Sequence, residues 1–171
     1  MRRIRLVILL AITVLSLHSC KITYSFSGTN ISPDVKTFYV ADFPNRAPLY
    51  VPALSEKFVD NLKEKILTQT SLNLANNAGK ADLIFEGEIT RYNIRPNSVS
   101  ANETAATNRL TITVNVRFTN NKDHKQDWEK SFSNYSDFPA DRDISEVEEE
   151  LTDEIFEKII EDIYNNSIAS W

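Results

Sequence analysis

The run Leu110-Thr111-Ile112-Thr113-Val114-Asn115-Val116-Arg117-Phe118 alternates apolar and polar side chains without a fault. Successive side chains of a strand point to opposite faces, so this segment has one face to bury and one to leave to water or a partner. A chain that contains it needs a second layer over the apolar face, and two segments qualify. Leu54, Phe58, Leu62 and Ile66, flanked by Val59 and Leu67, recur at helical spacing and predict an amphipathic helix from about Pro52 to Gln69. Val147, Leu151, Ile155, Ile159 and Ile163, with Phe156, Ile160 and Tyr164 beside them, predict a second helix. Ser145-Glu146-Val147-Glu148 reads as its capping box. About 20 residues at 1.5 Å rise make that helix roughly 30 Å long, enough to cross a whole sheet.

The remaining segments supply more strands. Val35 to Phe43 alternates, is rich in β-branched and aromatic residues, and is broken by Pro44-Asn45-Arg46-Ala47-Pro48. Asn73 to Asp82 contains the turn signal Asn76-Asn77-Ala78-Gly79-Lys80. Leu83, Phe85, Gly87 and Ile89 alternate with Glu86, Glu88 and Thr90 to give a second strand. Asn93 to Thr107 is polar, contains Pro96 and has no period, so it reads as a long loop. Asn120 to Lys125 is a hydrophilic turn, and Trp128 to Tyr135 returns as a hairpin strand, with a bulge expected where Lys130 interrupts the alternation. The order β-α-β-β-β-α predicts an α+β fold: a two-layer sandwich of about four mostly antiparallel strands with two helices packed on one face. The opposite face, carrying Thr111, Thr113, Asn115 and Arg117, is left free.

The N-terminus has a different character. Arg2, Arg3 and Arg5 precede an apolar stretch from Leu6 to Leu15, and Leu17-His18-Ser19-Cys20 closes it. This is the pattern of a secretion signal with a small residue before the cleavage point, and it resembles the lipobox of bacterial lipoproteins. The resemblance implies cleavage before Cys20, a thioether-linked diacylglycerol on its sulfur and acylation of the new N-terminus. Such chains anchor a protein to a membrane durably, at about 0.8 kcal/mol per buried CH2. The alternative is an ordinary cleaved signal in which Cys20 is incidental. A spanning helix needs about 20 apolar residues, more than this run has. The expected organisation is therefore a signal over residues 1–19, a lipidated tether over 20–34 and one domain over 35–171.

Composition narrows the function classes. Loss of residues 1–19 leaves 152 residues, enough for one domain with a real core, and lowers 19 basic residues to 16 against 24 acidic ones, a net charge of −8. An acidic domain lacks the basic footprint of a nucleic-acid binder. The single cysteine leaves no disulfide, and the two histidines are His18, in the signal, and His124, in a polar turn. That inventory speaks against a His/Cys metal site and a histidine-based triad, and no phosphate-binding glycine loop or nucleophile elbow is present. The acidic run Glu146, Glu148, Glu149, Glu150, Asp153, Glu154 reads as a solvated helix face rather than a catalytic pair. No enzyme activity and no cofactor is expected.

The mature chain resembles the LptE family of lipopolysaccharide-assembly lipoproteins. The matching features are a lipidated cysteine with the tether Tyr24-Ser25-Phe26-Ser27-Gly28, a short strand over Lys36 to Asp42, and Leu54-Ser55 at a helix start. They continue with Ala81-Asp82-Leu83-Ile84-Phe85-Glu86-Gly87-Glu88-Ile89, Asn108-Arg109-Leu110-Thr111-Ile112-Thr113-Val114, Ser131-Phe132-Ser133-Asn134-Tyr135 and an acidic last helix ending at Trp171. The resemblance implies a role without a reaction: a plug inside the β-barrel LptD at the outer membrane, which assists that barrel's assembly and helps pass lipopolysaccharide to the surface. The partners it implies are the LptD-type barrel, lipopolysaccharide, and outer-membrane lipid through acylated Cys20. Arg91, Arg95 and Arg109 border the polar loop and are the candidate lipopolysaccharide contacts, because guanidinium pairs phosphate and carboxylate bidentately. The bland alternative is that they are solvated strand-end charges. A different function class, a lipid-anchored accessory subunit of another secretion or efflux machine, would use the same lipobox and sandwich.

Overall fold

The computed structural model describes residues 31–49, 51–97 and 107–169. Cys20, residues 1–19 and the tether segment Tyr24–Gly28 lie outside the described residues. Of the stretch expected as tether, Ile31 is packed against the core of the domain.

The strands are β1 (Thr37–Val40), β2 (Asn73–Leu74), β3 (Leu83–Asn97), β4 (Thr107–Asn120) and β5 (Trp128–Pro139); the helices are α1 (Leu54–Gln69) and α2 (Ile144–Ser167). They form one sheet in the order β2-β1-β3-β4-β5. The antiparallel meander β3-β4-β5 is extended by β1, parallel to β3, and by β2, parallel to β1. The α+β two-layer arrangement is the one the sequence predicts, with five strands in place of four. The extra strand is Asn73–Leu74, inside the segment read as a turn. Two residues are too short to show a period.

Alternation decides which way each strand faces. Leu110, Ile112, Val114, Val116 and Phe118 of β4 are buried, as are Leu83, Phe85 and Ile89 of β3 and Phe38 and Val40 of β1. Both helices cover that side. α1 contributes Leu54, Phe58, Leu62 and Ile66, and α2 contributes Leu151, Ile155, Phe156, Ile159 and Ile163. Ring contacts join the layers, from Phe43 to Phe58 (4.9 Å) and from Phe58 to Phe156 (5.1 Å). Gly87 lies where the sheet cannot take a side chain: an added Cβ would sit 2.0 Å from the Asn115 carbonyl oxygen and 2.6 Å from the Phe43 ring.

Three local readings are corrected. The segment Asn93–Thr107 is not a loop throughout, because β3 runs to Asn97 and β4 starts at Thr107. A β-bulge falls between Ile89 and Arg91 rather than at Lys130, and the β4–β5 register is unbroken from Thr107↔Pro139 to Phe118↔Trp128. Lys130 instead reaches from the edge strand to the Asn166 side chain (2.7 Å) and lies over the Trp128 ring. Finally, α2 is capped by Asp143, whose carboxylate accepts from the Ser145 N–H (2.9 Å) and hydroxyl (2.7 Å). A charged acceptor at the N-cap also complements the helix dipole.

β1 is tied to the sheet by a side chain. The Asp82 carboxylate accepts from the Lys36 N–H (2.9 Å), the Thr37 N–H (3.0 Å) and the Thr37 hydroxyl (3.0 Å), and pairs with Lys122 (2.9 Å). It joins the start of β1, the start of β3 and the β4–β5 turn. Burial raises its pKa, but these donors outweigh that and hold it at about 2.

Candidate functional site

The side of the sheet that no element among the described residues covers is the candidate site. Its parity follows from the register: Arg117 stands between Glu86 and Glu129, Asn115 between Glu88 and Ser131, and Thr113 between Arg91 and Ser133. Further along, Thr111 stands between Asn93 and Tyr135, and Arg109 between Arg95 and Asp137. The bulge at Thr90 produces this grouping. It shifts the parity of β3, so that Tyr92 faces the core and Arg91 and Arg95 face outward with Arg109.

Charge is sorted along this face. One end holds Glu86, Glu88 and Glu129 around Arg117, which pairs with Glu129 (3.2 Å). A shallow depression there is lined by Glu86, Gly87, Glu88, Asn115, Arg117 and Glu129. The middle is hydroxyl-rich, with the Thr113 and Ser133 hydroxyls 2.9 Å apart and Arg91 opposite Thr113 on β3. The other end holds Arg95 and Arg109, so the three arginines run from the middle of this face to its far end.

Those arginines are not equivalent. Arg109 makes a bidentate pair with Asp137 (2.7 and 2.8 Å), and its guanidinium lies 3.6 Å from the centroid of the Tyr135 ring. The Arg109 hydrogen bonds hold the Asp137 carboxyl below the usual carboxylate range, and Asn97 donates to the same group (3.2 Å). Arg91 and Arg95 are exposed and have no ion-pair partner among the described residues. Arg95 stands directly opposite Arg109, and like charges in that relation repel. One carboxylate thus balances one of three cations, which leaves this end of the sheet suited to an anion.

All three sequence-predicted arginines therefore share one face, Arg95 and Arg109 at its end and Arg91 nearer the middle, while Cys20 lies outside the described residues. Asp137 and Tyr135 were missed as partners of Arg109. The hairpin register was the available signal: pairing Phe118 with Trp128 and counting back along both strands brings Arg109 to Asp137. The acids of the last helix have structural partners. Its acids serve packing and solvation: Tyr92 donates to Glu148, Ser136 to Glu154, Lys57 pairs with Asp153 (2.7 Å), and Lys65 pairs with Glu161. No helix among the described residues is long and apolar enough to cross a membrane.

The sequence model of the LptE family, described as lipopolysaccharide-assembly, matches residues 35–167, from just before β1 to the end of α2. No curated protein matches the chain significantly. Among solved structures, the chain is similar to a minor lipoprotein from Acinetobacter baumannii, at 16% identity with 78% of this chain and 96% of that chain covered and a TM-score of 0.47. It is also similar to uncharacterized lipoprotein B from Nitrosomonas europaea, at 18% identity, 75% and 79% coverage and a TM-score of 0.47. A homologue of neuraminyllactose-binding hemagglutinin from Helicobacter pylori shares the fold at 11% identity, 76% and 84% coverage and a TM-score of 0.51.

Proposed function

This chain belongs to the LptE family of lipopolysaccharide-assembly proteins, and from that membership we propose that it is an outer-membrane lipoprotein that plugs an LptD-type β-barrel and assists its assembly. Acylated Cys20 holds it at the membrane, on the periplasmic side or within the barrel lumen. It works by binding and positioning, without a reaction of its own.

The observation that carries this reading is the polar face of β3, β4 and β5, which no element among the described residues covers and which is backed by a continuous core. A domain with a rigid hydroxyl-rich face fits a barrel interior, which is polar and water-lined. The charge sorting adds a direction. Arg91 and Arg95 are the cations available to phosphate or carboxylate groups of lipopolysaccharide, and Arg109, held by Asp137 and Tyr135, fixes the platform beside them.

Binding of purified lipopolysaccharide to the full-length chain in detergent tests the second part. Arg91→Glu with Arg95→Glu is expected to weaken binding by tenfold or more while leaving thermal stability unchanged, since neither side chain has a partner to lose among the described residues. Undiminished binding by that variant would refute the arginine assignment.

A further inference from the structure

Tyr135 is 48% exposed on an otherwise polar sheet face. Burial is what ordinarily stabilises an aromatic ring, and this one has a support in its place. The Arg109 guanidinium lies 3.6 Å from the ring centroid, and two hydrogen bonds to Asp137 (2.7 and 2.8 Å) fix that guanidinium. Asn97 donates to the same carboxylate (3.2 Å). The ring is thus backed by a held group while the side chain stays open to solvent.

What surrounds the ring indicates what it meets. Its row across the sheet is Tyr135, Thr111 and Asn93; the row on one side begins at Arg91 and the row on the other at Arg95. Every other side chain in these three rows is polar or charged, so an acyl chain would find no apolar surface beyond the one ring. Strands lie about 4.8 Å apart, and residues two apart on a strand about 7 Å. Asn93 is therefore about 10 Å from Tyr135 across the sheet, with Arg91 and Arg95 about 7 Å to either side of it. Both arginines are exposed and have no ion-pair partner among the described residues. A pyranose complements this pattern. Its C–H faces lie on an aromatic ring, its hydroxyls pair with amides and alcohols, and a phosphate or carboxylate on it pairs with guanidinium.

We propose that Tyr135 is the stacking platform for a sugar ring, and that these three rows take an anionic pyranose whose phosphate or carboxylate goes to Arg91 or Arg95. The inference rests on the reading of those two arginines as anion contacts and deepens it: the face recognises the saccharide part of a glycolipid and not its acyl chains.

The test measures binding of two soluble phosphates to the full-length chain in detergent by saturation-transfer NMR. One is glucose 6-phosphate; the other is glycerol 3-phosphate, which carries the same anion without a ring. Neither has an acyl chain, so any margin between them reads the saccharide alone. Glucose 6-phosphate is expected to bind about fivefold more tightly, with its ring C–H protons taking up most of the saturation. Tyr135→Leu should remove that margin and leave glycerol 3-phosphate binding unchanged, which also shows that the variant folds. Tyr135→Phe should keep the margin, since the ring and not the hydroxyl makes the contact. Arg91→Gln with Arg95→Gln should weaken both ligands severalfold. Equal binding of the two phosphates by the wild type, a margin that survives Tyr135→Leu, or no binding of glucose 6-phosphate would each overturn the proposal. Equal binding that the arginine pair still weakens would strike the ring alone; binding insensitive to that pair would strike the reading beneath it as well.

Discussion

Replacing Asp82 with asparagine is the sharpest probe of how β1 is held. The side chain is 15% exposed and its carboxylate gathers four donors. A fall in pKa from 3.8 to about 2 is worth about 2 kcal/mol of folding stability at neutral pH. The folded pKa is the lower one, so the unfolded chain takes up the proton first. The contribution is complete above about pH 5 and is lost as the pH falls through 4 towards 2. Asp137, Glu154 and Glu161 also have lowered pKa values and give the wild type a slope of the same sign. The informative quantity is therefore the gap between wild type and Asp82→Asn. Urea unfolding should show a gap of about 2 kcal/mol at pH 6, narrowing by about 1 kcal/mol at pH 3. A gap that does not change with pH would mean that the charge of Asp82 does nothing for β1, and the account of this junction would be wrong.

Other substitutions test separate joints. Gly87→Ala should cost about 1–3 kcal/mol in urea unfolding, because its Cβ would collide with the Asn115 carbonyl and the Phe43 ring; a neutral outcome would show that β3 and β4 can separate freely. Ile155→Asp places an unpaired carboxylate in the core between α2 and the sheet, and should cost about 4 kcal/mol or more, measured by thermal unfolding. Retention of the wild-type melting temperature would mean that the buried face of α2 is misassigned. A double-mutant cycle of Arg109→Ala and Asp137→Ala should give a small favourable coupling that shrinks in high salt, as a solvent-accessible bidentate pair implies; zero coupling at low salt would contradict the pair.

Much of this molecule could be read from the chain because single-face burial leaves a clear period. β4 alternates through its whole predicted length, and both helices carry the apolar stripes that the core uses. The second half of β3 was hidden by its bulge. One extra residue at Thr90 moves the inward positions from Phe85 and Ile89 to Tyr92 and Ile94, so a strict period-two search ends where the strand does not. Pro96 reinforced that reading, since proline is foreign to central strands. β1 pairs with β3 as far as Phe85, and the last contact from that side is the isolated bridge at Ile89. Beyond it β3 is an edge, where a missing N–H breaks no ladder. The arginine cluster was legible as residue types near one loop. Its inner structure, with Arg109 committed to Asp137 and Tyr135 and the other two left available, depends on a cross-strand register that no single segment reveals.

The most direct measurement of the central claim is isolation of the native protein from detergent-solubilised outer membrane, followed by identification of what stays bound. A very large outer-membrane β-barrel in a stoichiometric complex, with the sheet face of β3, β4 and β5 protected from solvent labelling, is the predicted result. Recovery with a periplasmic adaptor or an efflux channel instead, and no barrel of that kind, would contradict it.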